Sequence, residues 1–133
     1  MPFLLYALVT WTTRDRGPLI TVQVEAFLRK TLPQIAHRHG AAVLAMGIVD
    51  DHVHLLVRLP ARFDVPRLAQ GLKGTTARLA NRDRIAEQAT PLQWASGYDL
   101  RSVGPRELRA AKEYLQSQPS RHPDRVPRGV AAL

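Results

Sequence analysis

Two apolar stretches, Ala41–Val49 and His52–Leu59, are separated only by Asp50-Asp51. A link that short has no room for a crossover, so two strands joined by it form an antiparallel hairpin. His52–Leu59 alternates on period 2, as a strand does when one of its faces meets a core. The rest of the chain must be arranged around this pair.

Upstream, Phe3–Thr13 is rich in apolar and β-branched residues and runs into the turn cluster Arg14-Asp15-Arg16-Gly17-Pro18. This reads as a strand followed by a loop. From Leu19 to about His39, the residues Ile20, Val24, Phe27, Leu28, Leu32 and Ile35 recur at three- and four-residue spacing. That pattern predicts an amphipathic helix. Pro33 is expected to disturb its last turns, and Gly40 to stop it. Downstream, Pro60–Pro66 reads as a loop. Residues 66–84 read as a basic amphipathic helix, with Leu68, Leu72 and Leu79 on the apolar side, Arg67, Lys73, Arg78 and Arg82 on the polar side, and two glycines within it. Thr90–Val103 reads as a loop and a short fourth strand. Pro105–Ser117 reads as a last helix with its proline near the first turn. Pro119, Pro123 and Pro127 end it.

The order β-α-β-β-α-β-α contains the split βαβ, ferredoxin-like arrangement in its first six elements. The expected fold is α+β, with one antiparallel sheet carrying helices on one face and a further C-terminal helix. A chain of 133 residues is one domain by size. The expected division is a single domain over residues 1–118 and a Pro/Arg-rich tail over 119–133, poorly ordered unless it docks.

Composition narrows the function. The absence of cysteine excludes a disulfide framework, a thiol nucleophile, zinc fingers and iron–sulfur clusters, and fits a cytoplasmic location. The apolar run Phe3–Val9 lacks a basic leader and a cleavage site. It is far shorter than the ~20 residues of a spanning helix, so no membrane role is expected. The formal charge is +8, and sixteen of the nineteen basic residues are Arg. Arg grips phosphate as a planar fork, so a phosphate-rich partner, nucleic acid first, is expected.

His52 and His54 lie two apart on a strand and therefore project from one face, a ready pair of ligands for a divalent metal. His37-Arg38-His39 has the same spacing at a helix end, where residues two apart do not face each other, and reads as a solvated pair. On the last helix Tyr114 and Gln118 are four apart and share a face. Tyrosine can act as a nucleophile, and an amide oxygen suits Mg²⁺ or Mn²⁺.

Taken together, five ordered stretches resemble the single-tyrosine HUH transposases, the insertion-sequence 200/605-type and REP-associated enzymes. They are Val9-Thr10-Trp11-Thr12-Thr13 with the basic turn that follows, Asp51-His52-Val53-His54-Leu55-Leu56-Val57, Leu72-Lys73-Gly74 with Arg78, Trp94 through Gly97-Tyr98 and Ser102-Val103-Gly104, and Tyr114-Leu115-Gln116-Ser117-Gln118-Pro119. The likeness runs from about residue 6 to 122. It departs from the family at Ser117, where Asn is usual, and at Arg121-His122, where two histidines often stand.

The resemblance implies a transposase that cuts and rejoins single-stranded DNA through a 5′-phosphotyrosine. Tyr114 would be its nucleophile. His52, His54 and Gln118 would be ligands of Mg²⁺ or Mn²⁺. Arg14, Arg16, Arg67, Lys73, Arg78 and Arg82 are expected on the DNA backbone, the resemblance implies single-stranded DNA with hairpin structure, and it implies a homodimer. Two other readings remain open from the residues alone: a non-catalytic nucleic-acid-binding module of the same fold, and a metal-dependent phosphodiesterase that uses water in place of Tyr114.

Overall fold

The computed structural model describes residues 5–117. Gln118 and the tail segment 119–133 lie outside the described residues. The elements follow in the order β1 (Leu5–Thr12), a short 3₁₀ turn (Arg14–Arg16), α1 (Val22–Arg38), β2 (Ala42–Ile48), β3 (His52–Leu59), α2 (Val65–Arg82), β4 (Asp99–Val103), a second 3₁₀ turn (Pro105–Glu107) and α3 (Leu108–Gln116). The sheet order is β2-β3-β1-β4, with every neighbouring pair antiparallel. This is the ferredoxin-like order expected from the sequence.

Period-2 alternation divides the sheet into two faces. Ala7, Val9 and Trp11 of β1 and Val53, Leu55, Val57 and Leu59 of β3 are buried in one core with Val24, Leu28, Leu32 and Ile35 of α1 and Leu68 and Leu72 of α2. His52, His54 and Leu56 take the alternate positions. Leu56 and Leu115 of α3 are both fully buried yet outside that core, and α3 packs on β2 and β3. The C-terminal helix therefore covers part of the histidine face, while α1 and α2 cover the other.

Local chemistry sets the helix starts. Thr21 caps α1 by accepting from the Val24 N–H (3.2 Å), and Asp64 caps α2 by accepting from the Arg67 N–H (3.1 Å). One expectation is corrected: α1 runs through Pro33 to Arg38. Leu28, Leu32, Ile35 and Ala36 are buried on both sides of the proline, and at ~1.5–3 kcal/mol for each large apolar side chain their burial outweighs a local cost of ~3 kcal/mol. A second correction concerns the His37/His39 pair. His37 is exposed, but His39 is half-buried, and its ring occupies the space a Cβ at Gly71 would need. That contact explains one of the two glycines inside α2.

The segment between α2 and β4 has little regular structure and is tied down by side chains. Asn81 donates to the Leu92 carbonyl (2.9 Å) and accepts from the Leu92 N–H (2.8 Å). The Trp94 indole donates to Thr76 (3.1 Å) and its ring meets Trp11 edge-on at 5.7 Å. Replacing Asn81 by Ala removes both bonds to Leu92 and strands two partly buried backbone groups. It should cost about 1–3 kcal/mol. Asn81→Asp, which keeps the acceptor, should cost less. Chemical denaturation of the two variants checks the order.

Candidate active site

β3 is the second strand of four and is paired along its length on both sides, so its side chains are held by two ladders. The register sets Thr10 opposite His54 and Thr12 opposite His52 on β1. Across the other edge, Gly47 stands opposite His54 and adds no side chain to that face. The two imidazoles lie 4.9 Å apart, centroid to centroid, with their planes at 84°.

Each ring is oriented through Nδ1. His54 Nδ1 is 2.7 Å from the Thr10 hydroxyl, and His52 Nδ1 is 2.7 Å from Asp51 Oδ1. The other carboxylate oxygen of Asp51 accepts from Arg16 Nε at 3.1 Å. An ionised carboxylate only accepts, so His52 Nδ1 donates to Asp51 and the lone pair of that ring sits on Nε2; a hydroxyl both donates and accepts, and where His54 Nδ1 donates to Thr10 the same holds for its ring. This is the tautomer that metal-binding histidines use, and the outer partner fixes it.

Asp51 is fully buried. Burial alone would raise its carboxyl. The hydrogen bonds from His52 and Arg16, together with their charges, outweigh burial and hold it below the usual carboxylate range. The chain reaches this geometry through a tight turn. Asp15 and Arg16 both adopt left-handed backbone conformations (φ 55° and 56°). Thr13 donates its N–H (2.8 Å) and its hydroxyl (3.2 Å) to the Asp51 carbonyl, and its hydroxyl also reaches Gly17 O (2.6 Å). Ile20 N–H donates to the Asp50 carbonyl (3.0 Å). The basic turn thus wraps over the Asp50-Asp51 link.

The sequence-predicted residues fall into groups. His52 and His54 come together, and Arg16 joins them through Asp51. Tyr114 lies on α3, the helix packed on β2 and β3, and is partly exposed. Arg14 is exposed beside the turn. Lys73 is committed within the protein: its ammonium donates to the carbonyls of Ala95 (2.7 Å) and Gly97 (2.8 Å), and burial lowers its pKa. Arg82 is exposed and pairs with neighbouring Asp83. Arg67 sits at the opposite end of α2 from Arg78 and Arg82. Among the described residues no group of three or more His, Cys, Asp or Glu could hold a metal. Asp51, the nearest acid in sequence, turns its oxygens to His52 and Arg16 instead. Sequence reasoning missed Asp51 and Thr10. The register opposite His54 is the signal that finds Thr10.

The comparisons bear on the family and the fold. The family model described as "Transposase IS200 like" matches residues 2–118. The ISDra2 transposase TnpA of Deinococcus radiodurans is 27% identical over 111 residues, covering 81% of this chain and 79% of that protein. A candidate transposase from Deinococcus radiodurans R1, known from a crystal structure, superposes with a TM-score of 0.68 at 23% identity, over 89% of this chain and 93% of the other. A REP-associated tyrosine transposase bound to a REP hairpin superposes at 0.69 with 13% identity, over 92% of this chain and 72% of that one. At these identities the two structures establish the fold alone.

The depressed carboxyl of Asp51 has a consequence for stability. Because the unfolded chain binds that proton more readily, the stabilisation is complete above the ordinary carboxylate pKa. It is lost as pH falls below about 4 and on through the lower folded value. Asp51→Asn should lower stability at pH 7 and make the acid limb of a stability–pH curve shallower. Urea midpoints between pH 3 and 7 measure both.

Proposed function

The chain belongs to the IS200-like transposase family, and from that premise we propose that it cuts and rejoins single-stranded DNA through a covalent link to Tyr114. The observation that carries this reading is the His52/His54 pair on a strand held from both sides, with the two rings 4.9 Å apart and each oriented through Nδ1.

The donor set suits a divalent cation, since two neutral imidazoles on one rigid face are preorganised for it. His52 and His54, with Gln118 as third ligand, would hold Mg²⁺ or Mn²⁺, which when bound supplies positive charge to a phosphoryl oxygen. Gln118 lies outside the described residues, and its role rests on the family resemblance.

The chain's own residues do the rest. The Tyr114 phenolic oxygen attacks the scissile phosphorus, and the bond from phosphorus to the 3′ oxygen breaks. The phenol loses its proton and the departing 3′ oxygen gains one. The products are a free 3′ hydroxyl and a 5′ phosphotyrosine. Attack by another 3′ hydroxyl reverses the step and joins new ends without ATP, because the phosphodiester energy is kept in the tyrosine ester. Asp51 and Thr10 hold the imidazoles in place throughout. Arg14 and Arg16, beside the histidines, would steady the phosphates nearest the cut. The same family resemblance supports DNA with hairpin structure as substrate, a homodimeric enzyme and a cytoplasmic site of action.

Incubation with structured single-stranded oligonucleotides and Mg²⁺ or Mn²⁺ should give a metal-dependent covalent adduct that maps to Tyr114. Tyr114→Phe should abolish the adduct and leave DNA binding within about twofold. His52→Ala should reduce cleavage by at least about 100-fold, the upper end of the loss seen when a partner of a metal ligand is removed. Cleaved DNA without an adduct would instead identify water as the nucleophile. A denaturing gel separates these outcomes.

A further inference from the structure

Gly47 stands opposite His54 in the β2–β3 ladder and shares its face of the sheet. Its neighbours Met46 and Ile48 turn to the main core instead. Glycine inside a strand weakens it, because it loses more backbone entropy than any other residue and brings no side chain to pack. Three reasons commonly justify that cost. One is a left-handed backbone, but among the described residues the glycines with positive φ are Gly40 and Gly97. Another is a β-bulge, but the irregularity of this ladder lies between Val43 and Ala45. The third is room for something that comes close to the backbone.

Gly47 is buried although β2 is an edge strand. The main core lies on the other face, and the described element that packs on β2 from the histidine side is α3. Leu115 is the one buried side chain of α3. Leu56, next to His54 on that face, is fully buried with it, outside the main core. The helix therefore reaches the sheet through Leu115. A Cβ at position 47 would stand about 1.5 Å above the backbone, and across an antiparallel pair about 5 Å from that of His54. It would lie under the helix. Tyr114 immediately precedes Leu115, so its position follows wherever Leu115 is seated.

We propose that Gly47 is a positioning residue: the gap it leaves is the seat on which α3 docks, and docking brings Tyr114 up to the histidines. The role of Tyr114 rests on the transposase reading, whereas the docking itself concerns only the fold. A larger residue at position 47 would leave the sheet intact and hold the helix off it. Full burial of one leucine is worth enough to shift a docked population roughly ten- to a hundredfold. The rate of a step that needs the docked helix falls with that population.

Gly47→Ala and Gly47→Val separate this role from the preferences of a strand. Valine is favoured in strands and glycine disfavoured, so a role confined to β2 makes the valine variant the soundest of the three proteins. Seating of α3 predicts the reverse order. In native-state hydrogen exchange, the α3 amides should exchange roughly tenfold faster in Gly47→Ala and faster again in Gly47→Val, while the amides of β1 and β3 keep their protection. At saturating oligonucleotide, the Tyr114 adduct should form about tenfold more slowly in the alanine variant, and more slowly still in the valine variant. Oligonucleotide affinity and Mn²⁺ affinity should be unchanged.

Equal exchange of α3 in all three proteins would overturn the proposal. So would an α3 without protection in the wild type, or a valine variant that forms the adduct at the wild-type rate. Loss of protection along β3 as well would assign Gly47 to packing of the sheet and overturn the seat. Absence of the adduct in wild type, with α3 exchange rising through the alanine and valine variants, would defeat the cleavage reading and leave the seat standing.

Discussion

Everything at the histidine end of this protein depends on one buried carboxylate. Asp51 has no exposed surface, and an ionised acid so placed is costly unless it is paired and hydrogen-bonded. Arg16 and His52 meet that need from opposite sides. Bringing Arg16 into reach requires two consecutive non-glycine residues in the left-handed region, which costs on the order of 1–3 kcal/mol each. Replacing such a pair by apolar residues of equal volume often costs a protein nothing. Its retention here is understandable as orientation: the carboxylate sets the direction of the His52 ring, and the hydroxyl of Thr10 sets that of His54.

This division explains which features could be read from residue order. The hairpin of β2 and β3 follows from the two-residue link, and the common face of His52 and His54 from period 2. Asp51 reads as a turn residue because Asp-Asp between apolar runs is turn chemistry. Its burial depends on residues 13–20 folding back across it, a contact between segments more than thirty positions apart. Thr10 is an ordinary β-branched strand residue until the register sets it opposite His54. Pro33 misleads for the converse reason: the local rule is sound, but the packed stripe of α1 overrides it. Lys73 belongs on the polar side of α2 by pattern, yet folding commits its ammonium to two loop carbonyls.

The arginine excess also divides once the fold is known. Arg29, Arg82, Arg101 and Arg109 pair with acids on the surface, where such pairs are worth little. Arg16 is structural through Nε, but its side chain remains 60% exposed, so the rest of the fork still faces water. Arg38, Arg62 and Arg67 stand around one open basin at the end of the sheet remote from the histidines, with Asp64 as the one acid among the residues lining it. A single net charge conceals these differences. The same +8 contains charges spent on folding, charges balanced locally and charges left facing water.

The two ends of the proposed chemistry are anchored very differently. The histidines stand on a strand bonded on both edges, whose alternate residues lie in the main core. Tyr114 stands on a nine-residue helix in which Leu115 alone is fully buried. An isolated helix of that length is not stable in water, so α3 depends on Leu115 and its contacts with β2 and β3 for its position. Metal ligands must hold their geometry to a fraction of an ångström, which suits the strand. A nucleophile that becomes covalently joined to its substrate, and must later release it, has no such need. A lightly docked helix can carry it without disturbing the ligands, because the sheet beneath does not depend on the helix for its own hydrogen bonds.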